Sequence, residues 1–404
     1  MKIAWLTPEI PYPPIGGRNG VFNRIKQLSK YNEIYLFSIA YSEEEKKLEN
    51  EMMEYCVEVK YYNRNESKIK TLFKSLLAPY SVASRTIPQL KKDLNHLLDR
   101  EKIDAIIVDF PNMASNIIKL DVGNIYCTLN QHNTEYKRMR DMVKVTNISI
   151  VKRVMYYLES FRLEFYEKKI YNKNIFKSVT FFSENDMKVF SQKWKRCEAE
   201  LKLFPLGAND YEQPLTFEGR HNLLFIGRLD SVAITNVEAV QWFCKEIYEK
   251  VKLKVPDVKL IIAGSNPTQE ICNLADEHIQ IIPNYKELLD VYSKTDCVIL
   301  PLLSGGGVKG KLLEAVALKK LVITTSVGIE GTKFCDGKHV LLADEADAFA
   351  DKCIEALLHG QCYISMIENA YQLFQENYNW NAIGMKYNKF LNERMNVDGV
   401  RYDC

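Results

Sequence analysis

The residues best suited to chemistry lie in the run Leu300-Pro301-Leu302-Leu303-Ser304-Gly305-Gly306-Gly307-Val308-Lys309-Gly310-Lys311-Leu312-Leu313-Glu314. Three glycines join a short apolar run to an amphipathic stretch, so the backbone can turn tightly and its N–H groups can approach a ligand. Lys311 and Glu314 are three residues apart and share a helix face. The ammonium suits a phosphate, and the carboxylate suits the hydroxyls of a ribose. An ordinary ion pair on a surface helix is the alternative. Gly227-Arg228 ends another apolar run, Leu223 to Ile226. The end of a parallel strand is where α/β sheets bind ligands, and a guanidinium fork fits a phosphate. Pairing with Asp230 is the competing reading. A third loop, Pro13-Pro14-Ile15-Gly16-Gly17-Arg18-Asn19-Gly20, follows the first apolar run. It is neither a Gly-x-Gly-x-x-Gly fingerprint nor a Walker loop. By itself it is as well explained by a structural turn.

The elements that must hold these residues alternate along the chain. Short apolar runs read as strands at 3–7, 34–39, 105–108, 124–127 and 178–182, and again at 223–226, 259–263, 279–282, 297–300 and 321–324. Amphipathic stretches separate them. One is Asn236 to Lys252, with Val240, Phe243, Ile247 and Val251 on one face. Apolar strands with helices between them indicate parallel sheets covered on both faces. The polar, turn-rich segment Gly207 to Pro214 breaks the series and reads as a linker between two doubly wound α/β domains.

Composition narrows the function classes. Hydrophobic residues make up 47% and charged residues 26%, which excludes a mainly disordered chain. No apolar run approaches the ~20 residues that span a bilayer. The start of the chain has no secretory leader pattern, so a cytoplasmic location is expected, with peripheral attachment to the inner face of a membrane. The ten cysteines are scattered and read as reduced core residues. Net charge is +2, which argues against a nucleic-acid binder. Residues 1–210 carry 34 Lys+Arg against 26 Asp+Glu, whereas the remainder carries 20 against 26. Two basic stretches stand out. In 59–100, Lys68, Lys70 and Lys74 interleave with Leu72, Phe73, Leu76 and Leu77; in 136–177, eleven basic residues face four acids. Both read either as solvated helical surface or as a rim that meets an anionic membrane.

Taken together, these segments resemble glycosyltransferase family 4, the glycogen-synthase-like retaining enzymes that use nucleotide-sugars. Phe225-Ile226-Gly227-Arg228-Leu229, Leu260 to Gly264, Ser304 to Ala317 and Leu321 to Thr325 carry the likeness. So do the Gly16-Gly17 loop, Gln131-His132-Asn133-Thr134-Glu135, Phe182-Ser183-Glu184-Asn185-Asp186 and Tyr378-Asn379-Trp380. The resemblance implies two Rossmann-like domains facing across a cleft, the GT-B arrangement. An acceptor-binding domain would occupy 1–207 and a donor-binding domain 208–380, with 381–404 a terminal helix returning to the first domain. Arg228, Lys311 and His132 take the catalytic positions in this reading. The donor site comprises Gly16, Gly17, Gly305, Gly306, Gly307, Val308, Lys309, Leu313, Glu314 and Tyr285. Glu314 matches the carboxylate that binds the ribose, and His132 matches the histidine near the transferred sugar.

The implied substrates are a UDP- or GDP-linked sugar and a glycan or lipid-linked acceptor, in bacterial surface polysaccharide or glycoconjugate synthesis. No cofactor and no metal are implied. The chain departs from the family at two points. Gly306 stands where a first glutamate of a Glu-x7-Glu pair is common, and no lysine follows Arg228 in Leu229-Asp230-Ser231-Val232-Ala233. A nucleotide-sugar epimerase of the same architecture and a non-catalytic nucleotide-sugar-binding protein are the alternative readings.

Overall fold

The structure is a computed structural model that describes all residues except 15–16, 65–74, 76–77, 133, 144–148 and 398–404. The cluster around Leu72, Phe73, Leu76 and Leu77 therefore lies outside the described residues, as does Gly16. The chain forms two compact units, Met1–Pro205 with Ile383–Cys404, and Leu206–Ala382.

The first unit holds a parallel sheet of seven strands: β1 (Lys2–Thr7), β2 (Glu33–Ala40), β3 (Glu58–Asn63), β4 (Ala105–Asp109), β5 (Tyr126–Gln131), β6 (Ser178–Phe181) and β7 (Glu200–Leu203). Their order across the sheet is β3-β2-β1-β4-β5-β6-β7. Residues 3–7 of β1 are fully buried because β1 is central, paired with β2 on one side and β4 on the other. Four helices of this unit matter below: α1 (Gly17–Leu28), α2 (Glu135–Val143), α3 (Ile150–Tyr171) and α4 (Glu184–Lys193).

The second unit holds six parallel strands: β8 (Asn222–Ile226), β9 (Lys259–Gly264), β10 (Ile279–Pro283), β11 (Cys297–Leu300), β12 (Leu321–Thr324) and β13 (Leu341–Leu342), in the order β10-β9-β8-β11-β12-β13. Alternate strand residues feed two cores. Leu223, Phe225, Leu260, Ile262 and Ile299 pack with Val240 of α5 (Ile234–Trp242), Phe243 and Ile247 of the π-helical segment Phe243–Tyr248 that continues it, Val251 of the α-helical turn Glu249–Lys254 beyond, and Phe349 of α6 (Ala346–His359). Leu224, Ile226, Ile261 and Val298 pack with Leu312, Leu313 and Val316, and with Phe374 near the end of the unit. Both faces are covered, as the unbroken apolar strands require.

Two sequence readings need correction. The 59–100 stretch is not uniformly helical surface, because Glu58–Asn63 is the edge strand β3. The cysteines are not all core residues: Cys56, Cys127, Cys297 and Cys353 are buried, but Cys335 and Cys362 are exposed. No described helix is long and apolar enough to cross a membrane.

Candidate functional site

In both sheets the strand order reverses beside the first strand of the unit, between β1 and β4 and between β8 and β11. The carboxyl ends of strands at such a reversal flank the crevice in which open α/β sheets bind ligands. The motif residues collect at these two places, one in each unit.

In the second unit, β8 delivers Gly227 and Arg228, and β11 delivers the glycine loop and the helix Gly310–Ala317 that follows it. Gly305 and Gly307 have φ of 117° and 75°, which side-chain-bearing residues rarely adopt. Gly306 faces open space. Lys309 donates to the carbonyls of Gly305 at 3.0 Å and Gly307 at 2.6 Å, so its ammonium fastens the loop instead of standing free for a ligand. Val308 is half-buried beside it.

Lys311 projects back toward the end of β8. Its ammonium donates to Asn236 Oδ1 at 2.6 Å and lies 4.6 Å from the centre of the Phe225 ring. A Cβ at Gly227 would come within 3.0 Å of this nitrogen, so glycine is what lets the lysine lie across the strand end. Gly264 is tighter still: its Cβ would meet the Gly227 carbonyl oxygen at 1.8 Å. Burial pushes the Lys311 amine down to about 7, opposed by the Glu314 carboxylate and assisted by Lys309.

Glu314 lies in the same helix, with its carboxyl raised by burial and lowered in part by Lys311. Tyr285, Tyr211 and Tyr292 surround it closely enough that its charge adds to the burial that raises their hydroxyl pKa values. The Tyr292 hydroxyl is buried without a hydrogen-bond partner among the described residues. Leu313, expected in the donor set, is instead fully buried core, and its N–H donates to the Lys309 carbonyl. Arg228 is half exposed and pairs with Asp230, its Nε 2.6 Å from Oδ2, which is the alternative weighed for it. Asn236 was not picked out from the sequence. It joins the pieces by accepting from Lys311 and donating to the Arg228 carbonyl at 2.8 Å.

In the first unit, His132 follows β5. Its Nε2 lies 2.8 Å from Oδ1 of Asp109, the last residue of β4. Asp109 also accepts from Trp5 Nε1 at 2.5 Å and Asn130 Nδ2 at 3.0 Å, and is fully buried. With Asp109 as acceptor, Nε2 carries the proton and Nδ1 keeps its lone pair. Burial lowers the His132 pKa, which favours the neutral ring, with Asp109 opposing and the buried Arg24 assisting. Phe110 stacks on the imidazole at 4.0 Å and 10°, from a φ of 65° that a bulky residue seldom takes. Such strain recurs at functional sites. Phe182 covers the ring from another side, with the Arg24 guanidinium 3.6 Å from the Phe182 centroid.

The terminal helix α7 (Trp380–Val397), which belongs to the first unit from Ile383 onward, supports this site. Tyr387 donates to Asn130 Oδ1 at 2.7 Å, and Arg394 grips Glu200 through two bonds. The segment around Asp186 has a structural use. Ser183 caps α4, and Thr134 donates to Asp186 at 3.0 Å, tying the start of α2 to the start of α4. Tyr378-Asn379-Trp380 is structural too, bonding through its backbone to Ala208. Gly17 opens α1 next to open space.

Comparison with known proteins adds a decisive match. Residues 220–359, the sheet with the glycine loop, match the family described as "Glycosyl transferases group 1". That match identifies the chain as a glycosyltransferase. This glycosyltransferase is 27% identical, over 93% of its length and 96% of the other protein, to an "Uncharacterized 44.6 kDa protein in cps region" of Klebsiella pneumoniae. Its fold is similar to that of a glycosyltransferase from Rickettsia africae, with a TM-score of 0.63 at 16% identity over 97% of this chain and 98% of that one. HepE of Anabaena, solved with UDP and glucose, gives 0.60 at 13% identity over 97% and 100%. A sucrose-phosphate synthase from Thermosynechococcus elongatus gives 0.64 at 13% over 98% and 99%. Both parallel sheets of the glycosyltransferase thus have counterparts in solved GT-B structures.

Proposed function

We propose that this glycosyltransferase moves a sugar from a nucleoside-diphosphate sugar to a glycan or lipid-linked acceptor, with retention at the anomeric carbon, in assembly of a bacterial surface polysaccharide. The observation that carries the donor reading is Lys311. A half-buried ammonium rests on a glycine at the reversal point of a Rossmann-order sheet, one helical turn from a carboxylate. The bond to the leaving diphosphate breaks with negative charge building on its oxygens. Lys311 and the glycine-loop N–H groups would hold that charge in a preorganised setting. Arg228 would join them by exchanging Asp230 for phosphate. Glu314 would accept hydrogen bonds from the ribose hydroxyls, with Tyr285 beside it at the nucleoside. His132 would hold a sugar or acceptor hydroxyl through Nδ1. The capsule-region relative supports the polysaccharide context.

Glu314→Ala is expected to weaken nucleoside-diphosphate binding by roughly ten- to a hundredfold, the loss of a hydrogen bond to a charged group. Calorimetry on the folded variant checks this, and unchanged affinity would remove the ribose role. Because side-chain cations hold the diphosphate in this scheme, turnover should persist in EDTA. Activity lost in EDTA and restored by magnesium or manganese would contradict it.

A further inference from the structure

Helix α3 carries an apolar face that stays largely exposed, although the Arg140 guanidinium of α2 rests 5.3 Å from the centre of its Phe161 ring. Ile150, Val154, Tyr157, Phe161 and Phe165 are all exposed, and their spacing of four, three, four and four puts them in one stripe. Val151, Met155 and Leu158 widen it. Ile150 is 78% exposed and Phe165 73%, values far from those of a half-packed surface helix. Burial is confined to α3 from Ser160 onward, at Ser160, Leu163, Glu167, Ile170 and Tyr171. The first half is exposed nearly all round. An exposed apolar patch of this extent marks an interaction surface.

The charges beside the stripe say what that is. Its C-terminal end runs into Lys168 and Lys169, both exposed. There Phe161, Phe165 and Lys168 line an open cavity of about 800 Å³ together with Lys195 and Arg196. Two more cations of that cavity, Arg140 and Lys193, are paired with Glu164. Lys168, Lys195 and Arg196 form no ion pair among the described residues, and Lys195 and Arg196 are exposed. The aromatic rings are thus flanked by cations with unused charge, the arrangement of a helix that lies in a bilayer interface with its basic residues at the phosphates.

We propose that the exposed face of α3 and the cationic cavity at its end form a docking surface for a membrane leaflet rich in anionic phospholipid. The apolar stripe enters the boundary between headgroups and acyl chains. Lys168, Lys169, Lys195 and Arg196 meet lipid phosphates. A second copy of this chain is the poorer occupant, because residues 136–177 hold eleven basic residues against four acids, and like faces would repel. The inference is independent of the donor reading, since no residue of the second unit enters it.

Flotation of the full chain with vesicles tests the proposal. The protein should float with phosphatidylglycerol–phosphatidylcholine vesicles at low salt, and much less with pure phosphatidylcholine or at high salt. Ile150→Glu with Val154→Glu lies in the exposed half of the helix, where folding does not depend on it. This variant should lose about tenfold or more of the partitioning, as should Lys168→Glu with Lys169→Glu. In Phe165→Trp the emission should shift to the blue on adding anionic vesicles. UDP binding by the variants should stay at the level of the parent chain, which keeps this test separate from that of the donor site. Absence of flotation with anionic vesicles would overturn the proposal, as would variants that float like the parent chain. A dimer in light scattering that Ile150→Glu with Val154→Glu dissociates, without vesicle binding, would assign the face to self-association instead.

Discussion

Lys311→Ala is expected to lower kcat/KM by about a hundred- to a thousandfold, the usual cost of removing one preorganised group that stabilises developing negative charge. The side chain is held by Asn236 and Phe225 at the end of β8, so the alanine variant should fold. The same lysine predicts a pH signature. Its amine sits at about 7 in the free protein because burial disfavours the ammonium. Below that pH the group is already charged, and a diphosphate finds its partner ready. Above it, binding must first take up a proton, so affinity should fall by about tenfold per pH unit between roughly 7 and 9. Lys311→Arg should abolish that slope, since arginine stays charged throughout. Titration calorimetry in buffers of different ionisation enthalpy would show proton uptake directly. A flat profile in the parent chain would place the charge on another residue.

Asp109→Ala should destabilise the first unit by about 3–5 kcal/mol, as expected when a buried acceptor is removed from several donors. The Trp5 indole N–H and the Asn130 amide, both fully buried, and the His132 Nε2–H would all lose their partner. Activity should fall as well, because His132 would lose the bond that fixes its tautomer and ring orientation. Urea unfolding followed by tryptophan fluorescence measures the first effect. Asp109→Asn separates the two: it keeps an acceptor and much of the stability, but it no longer presents a carboxylate to the imidazole. A stable, fully active Asp109→Ala would show that the His132 cluster has neither role.

What was readable in the sequence, and what was not, follows from where each residue ends up. The central strands were legible because both of their faces are buried, which leaves unbroken apolar runs such as Cys297-Val298-Ile299-Leu300. The strands β3, β7 and β13 were not. All three are edge strands or the last in their sheet, and Glu58-Val59-Lys60-Tyr61-Tyr62-Asn63 and Glu200-Leu201-Lys202-Leu203 alternate polar and apolar residues because one side meets solvent. The strand read at 124–127 starts at Tyr126 and runs on to Gln131, where polar Thr128, Asn130 and Gln131 are buried through side-chain hydrogen bonds that no hydropathy pattern reveals.

The site shows the same division. Lys311 and Glu314 were visible because helical spacing alone puts them together. Asn236 and Asp109 were not, because each reaches its partner through the fold: Asn236 lies 75 residues from Lys311, and Asp109 lies 23 from His132. Aspartate before Phe110 and Pro111 at a strand end was the one local hint. The bonds of Lys309 were hidden for a similar reason. Spacing gave it a loop position, but not the two loop carbonyls that hold its ammonium.

The central claim is that Lys311 and Glu314 form the seat of a nucleoside diphosphate. Isothermal titration of UDP, GDP and ADP into the parent chain, Glu314→Ala and Lys311→Ala tests it most directly. The account predicts that one of the three nucleotides binds the parent chain at a single site and binds both variants far more weakly. No binding of any nucleotide, or equal binding to all three proteins, would contradict it.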